Sequence, residues 1–117
     1  MILDTIPVGV CIRMIKSIAV DFDGCLCRNE YPGIGAENEL AIRNLINMQA
    51  EGYKLILWTC RSGIPLQEAV RWCKERGLIF DAVNENLPEY IERFGEDCRK
   101  IFATEYWDDR AVKVKAG

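Results

Sequence analysis

The apolar positions of the chain fall into short continuous runs and into stripes at helical spacing, and the two alternate. Ile18-Ala19-Val20 is an apolar, largely β-branched run that reads as a buried strand and stops at a polar turn containing Asp21, Asp23 and Gly24. Ala36–Glu51 predicts a helix, with Ala41, Ile42, Leu45, Met48 and Gln49 on one face and Gly52 just past its end. Tyr53–Trp58 predicts a second strand, and Thr59–Gly63 a turn. Pro65 suits the first turn of a second helix, whose buried stripe is Leu66, Ala69, Val70 and Cys73 and whose end is Gly77. Trp72 lies one position off that stripe and is expected to pack at the helix flank. Ile79–Val83, Pro88–Phe94 and Ile101–Trp107 read as a strand, a short helix and a strand. Strands alternating with helices predict a three-layer α/β fold with a parallel sheet of about four core strands. The turns Asp21/Asp23, Thr59, Asn84/Asn86 and Asp108/Asp109 all follow strands. They gather at the carboxyl edge of the sheet, where such folds bind ligands.

Composition narrows this. A chain of 117 residues, half of them hydrophobic, makes one globular domain. Met1–Arg13 is too short and too broken by Pro7 and Gly9 to be a leader. It is either an extra edge strand or an extension before a start at Met14. No apolar run reaches membrane-spanning length, and a cytoplasmic location with reduced thiols is expected. A net charge of −3 argues against a general nucleic-acid or anionic-membrane binder. A local basic groove stays open, because Arg61, Arg99, Lys100 and Arg110 follow candidate site positions. Six cysteines include no C-x-x-C pair, and histidine is absent, which disfavours zinc. Without histidine, proton transfer must rest on carboxylates, Lys, Tyr or Cys.

The sharpest chemistry is at Asp21 and Asp23. With a period of two in extended chain, both carboxylates point the same way. Like charges aimed at one spot call for a cation or a shared proton. The local string D-F-D-G also fits a plain strand-turn or a calcium-loop fragment, but Cys25-Leu26-Cys27 breaks the calcium spacing.

Four segments taken together resemble the motifs of the haloacid dehalogenase-like phosphohydrolase superfamily. They are D-F-D-G at Asp21, Thr59 in L-I-L-W-T-C-R, Lys100 in C-R-K, and Asp108-Asp109 in Y-W-D-D-R. The first motif departs from the family pattern in having Cys25 where threonine is usual. The resemblance runs from Lys16 to about Val112 and is nearest to small members without a cap. It implies a Rossmann-like domain. The family's cap insertion points correspond to Arg28–Gly35, which is only a loop, and to Leu78–Asp97, which has room for one strand and a short helix.

The resemblance further implies a Mg²⁺-dependent phosphatase acting on a phosphomonoester through an aspartyl-phosphate. Asp21 would be the nucleophile, and Asp23 the acid toward the leaving group and then the base toward water. Thr59 and Lys100 would hold the phosphoryl oxygens, with Cys60 and Arg61 beside them at the substrate. Mg²⁺ would take Asp21, Asp108, Asp109 and the backbone carbonyl of Asp23. Plainer readings stand next to these. Thr59 can cap its turn, Lys100 can be a solvated lysine with Arg99 as its competitor, and Arg61 and Arg110 can pair with the acidic cluster instead of substrate. Asn84 and Asn86 can line the rim or simply turn the chain, and Cys25, Cys27 and Cys60 are expected to be packing residues. The expected partner is a phosphorylated small molecule, with nucleic acid unlikely. An uncovered site also points to a homo-oligomer or to broad specificity, with Arg28–Gly35 and Asn84–Pro88 at the rim. A phosphotransferase, a nucleic-acid end phosphatase and a fold retained only for binding are the alternatives.

Overall fold

The computed structural model describes residues 15–116, so the expectations for Met1–Arg13 fall outside it. Seven elements follow in order: β1 (Ser17–Val20), α1 (Glu39–Ala50), β2 (Lys54–Leu57), α2 (Gly63–Glu75), β3 (Ala82–Val83), α3 (Pro88–Phe94) and β4 (Glu105–Trp107). All strand pairs are parallel and the sheet order is β3-β2-β1-β4, which makes β1 central. This is a Rossmann-like α/β architecture, and among the described residues no cap is inserted.

Strand periodicity divides the core in two. Ile18 and Val20 pair in register with Leu55 and Leu57, and these four pack with Ile42 and Leu45 of α1 and Ala69 and Cys73 of α2. The intervening Ala19 and Ile56 face the other way, against Leu87, Tyr90 and Ile101. Both faces of β1 are therefore covered, which is why it reads as one unbroken apolar run. At the other end of β1 the Ser17 and Tyr90 hydroxyls are 2.8 Å apart, which ties the strand to α3. Trp72 packs its ring edge-on to Phe22, as expected for a helix-flank residue.

Three elements start three or more residues later than the sequence predicts. Helix α1 starts at Glu39 rather than Ala36. The Asn38 side chain accepts from Ala41 N–H as its cap, and the residues before it are held in extended pairing, Arg28 N–H to Ala36 O. Strand β3 is reduced to Ala82–Val83. Just before it, the Asp81 carboxylate accepts from Leu55 N–H at 2.8 Å, a bond a longer strand would have made with backbone. Strand β4 begins at Glu105 rather than Ile101, although Ile101 and Ala103 are still buried.

Candidate active site

Register builds the site. Val20 pairs with Trp107, and Asp21 N–H donates to Trp107 O, so the residues after β1 and β4 emerge side by side. Trp58 N–H donates to Val20 O, which brings the end of β2 to the same edge. Carboxylate oxygens of Asp21, Asp108 and Asp109 come within 4.8 Å of one another. Gly24 makes that approach possible. Its φ of +84° suits glycine, and a Cβ there would overlap the Asp109 carboxylate. Burial pushes the Asp21 carboxyl above its ordinary value of 3.8. A hydrogen bond from Phe22 N–H opposes this, and the negative charges of Asp108, Asp109 and Asp23 reinforce it.

Asp23 is placed differently. Its two carboxylate oxygens each accept from Arg61, at 2.8 Å from Nε and 2.8 Å from Nη2. The remaining Arg61 N–H groups go to the carbonyls of Pro32, Gly33 and Pro65. All five guanidinium donors are thus used inside the protein, and the side chain is only 1% exposed. Arg61 was expected at the substrate. Of the two readings open for it, the ion pair with Asp23 is formed, and Arg61 also lines the cavity over Asp21 and Asp23. The pair fixes the carboxylate of Asp23 in one orientation and leaves each of its oxygens a second lone pair.

A cavity of about 580 Å³ opens over these groups, lined by Asp21, Asp23, Thr59 and Cys60 and walled by Asp108 and Asp109. Asn29, Tyr31, Arg61 and Arg110 complete its lining. The Thr59 oxygen accepts from Arg61 N–H at 3.1 Å, so Thr59 does stiffen its own turn, while its hydroxyl proton remains free to donate. Lys100 is exposed and lines a smaller adjoining cavity of about 260 Å³ with Asp21 and Asp108. Arg99 does not line it. Cys25 and Cys27 pack inside the fold: Cys25 Sγ lies 3.7 Å from Trp107 O, and burial pushes its pKa up to about 12, whereas Cys60 is exposed in the cavity lining and is not the packing residue expected.

Asn84 and Asn86 are not among the residues lining the two cavities that contain Asp21. They grip the loops on either side. Asn84, at φ +54°, accepts from Thr59 N–H at 2.8 Å and donates to Arg61 O. Asn86 is buried. It donates to Asp97 Oδ1 and Cys98 O and accepts from Phe102 N–H, so it closes the loop that carries Lys100. Asn86→Ala leaves these groups without partners, a loss of about 1–3 kcal/mol. Urea unfolding should register that cost, and an unchanged midpoint would show the clamp to be idle.

Sequence reasoning missed Asn29 and Tyr31 as individual wall residues, though it placed their loop at the rim. Nothing local distinguishes them from other loop residues. It also missed the clamp role of Asn86, whose partners are 11 or more positions away.

No protein-family model matches the chain. A solved structure of a conserved protein from Bacteroides thetaiotaomicron is similar, with a TM-score of 0.74 and 45% identity over 84% of this chain and 78% of that one. The chain belongs to the same family as that protein. Polynucleotide 3′-phosphatase ZDP from Arabidopsis thaliana is 31% identical over 83 residues, which is 67% of this chain. The chain spans 11% of the length of that plant relative.

Proposed function

We propose that this chain is a haloacid dehalogenase-like phosphatase that hydrolyses a phosphomonoester through an aspartyl-phosphate on Asp21. The observation that carries the proposal is the convergence of Asp21, Asp23 and Thr59 on one cavity beside Asp108 and Asp109. Similarity to a polynucleotide 3′-phosphatase supports the same reaction class. Asp21 attacks phosphorus and forms the acyl phosphate, which divides one hard displacement into two easier ones. Asp23 gives a proton to the departing oxygen and takes one from the water that later attacks. Its fork from Arg61 keeps the carboxylate aimed through both steps. The Thr59 hydroxyl donates to a phosphoryl oxygen. Lys100 supplies positive charge from the adjoining cavity.

Mg²⁺ fits the donor set. Asp21, Asp108 and Asp109 offer only hard oxygen ligands, and their mutual repulsion is what a dication relieves. When bound, Mg²⁺ would supply charge compensation for the phosphoryl oxygens. Asp23, its carboxylate engaged by Arg61, would take part only through its backbone carbonyl. A nucleic-acid end as substrate is the second reading, favoured by the similarity to a plant polynucleotide 3′-phosphatase.

Hydrolysis of 4-nitrophenyl phosphate, lost in EDTA and restored by Mg²⁺, is the expected result. Saturating Mg²⁺ should also raise the melting temperature, with a linkage of about 2.7 kcal/mol at a hundredfold excess over Kd. A thermal shift without turnover would leave a metal-binding module, and neither effect would remove the proposal entirely.

A further inference from the structure

The geometry points to a phosphate ester whose leaving group carries a planar ring, and to Tyr31 as the surface on which that ring stacks. This rests on the phosphatase reading above. In that reading the leaving oxygen is the one that Asp23 protonates, so the leaving group lies in the cavity that Asp23 lines. Tyr31 is the aromatic member of that lining, on the same wall system as Asp23 and Arg61. It is 57% exposed. Exposed loop tyrosines are common, and the question is whether this one is held.

It is held. The Arg61 guanidinium lies 5.1 Å from the Tyr31 ring centroid and 4.9 Å from that of Phe22. Phe22 in turn meets Trp72 edge-on at 5.4 Å. A series of ring and guanidinium contacts therefore runs from the core out to the cavity and ends at Tyr31. The backbone beside it is fixed as well. Arg61 donates to the carbonyls of Pro32 and Gly33, and Asn29 Oδ1 accepts from Tyr31 N–H. An exposed ring already immobilised next to the leaving-group acid costs little further entropy when a second ring stacks on it. Among the described residues no other aromatic side chain stands in that wall. Arg110, also on the rim, adds a positive charge suited to a leaving group that carries an anion.

The test compares aryl and alkyl esters across Tyr31 variants. Tyr31→Ala and Tyr31→Leu should lower kcat/KM for 4-nitrophenyl phosphate by about 5- to 150-fold, the usual worth of one aromatic stacking partner. The same variants should leave glycerol 2-phosphate within about twofold, and Tyr31→Phe should keep both. Leucine preserves an apolar cover over Arg61, so a loss common to both esters means disturbance of Arg61 and overturns the proposal. No loss for either ester overturns it too, while leaving the phosphatase reading intact. A 3′-phosphorylated nucleoside and a short 3′-phosphorylated oligodeoxynucleotide separate the two sources of a planar ring. Greater dependence on Tyr31 for these than for the aryl ester assigns the surface to a nucleobase. Absence of turnover in the wild-type protein would defeat the phosphatase reading by itself. In that event, calorimetric titration with 4-nitrophenyl phosphate decides: affinity that falls in Tyr31→Ala sustains the stacking surface, and affinity that does not fall overturns it.

Discussion

Replacing Asp21 by Asn is expected to reduce turnover by roughly 10⁴-fold or more, the scale seen when a catalytic nucleophile is lost, while making the metal-free protein more stable. The two effects have opposite signs because one carboxylate serves both. Asn cannot attack phosphorus, so no phosphoenzyme forms. Asp21 also sits partly buried beside Asp108 and Asp109, and its pKa is raised. A carboxyl whose folded pKa is raised binds its proton more tightly in the folded than in the unfolded chain. Its contribution is fully present below the ordinary value of 3.8 and is lost as pH rises through the raised folded value. At neutral pH, therefore, ionised Asp21 is a cost to the fold in EDTA, and Asn removes it. The melting temperature of Asp21→Asn should exceed that of the parent by a few degrees at pH 7, and the gap should close on acidification toward pH 4. Labelled phosphate trapped on Asp21→Asn would refute the nucleophile assignment. A melting temperature lowered at pH 7 would show that repulsion among the three carboxylates is not the governing effect.

What the sequence made legible was whatever is written locally. Ile18-Ala19-Val20 stops at Asp21 and Gly24, and the strand does end at Val20. Pro88 and Gly95 bracket α3, and it occupies Pro88–Phe94. Asp21, Asp108 and Asp109 could be placed together because each ends a strand of a parallel sheet, and the sheet aligns strand ends. The failures have one cause, which is side chains satisfying distant backbone. Asp81 takes the place of a β3 residue at Leu55 N–H, so the apolar stretch that begins at Ile79 yields only two residues of strand. Asn86 shapes a loop whose acceptors and donors lie at Asp97, Cys98 and Phe102. For Arg61 the sequence left substrate contact and pairing with the acidic cluster both open, and only the fold shows that Asp23, 38 positions earlier, takes its fork.

That fork carries the largest expected effect on stability. Arg61→Ala should cost about 3–5 kcal/mol, the usual penalty for removing one partner of a buried ion pair, and lower the melting temperature by roughly 10–20 °C. Three losses coincide. Asp23 keeps its charge near Asp21 but loses both hydrogen bonds, and the Pro32, Gly33 and Pro65 carbonyls lose the N–H groups that hold the 29–33 loop and the start of α2. The Phe22 and Tyr31 rings lose the guanidinium that both of them contact. Arg61→Lys should recover little, because an ammonium has three donors around one nitrogen and cannot fork a carboxylate while reaching three carbonyls. A second substitution separates the ion pair from the loop anchor. If the unpaired charge dominates, adding Asp23→Asn to Arg61→Ala should restore about 1–2 kcal/mol, since a neutral amide there needs no counter-ion. If the carbonyl anchors dominate, the double variant should be no more stable than Arg61→Ala. In that case hydrogen exchange at residues 29–33 should rise equally in both variants. A melting temperature within about two degrees of the parent for Arg61→Ala would show that the fork is incidental. Asp23 would then owe its orientation to something other than Arg61.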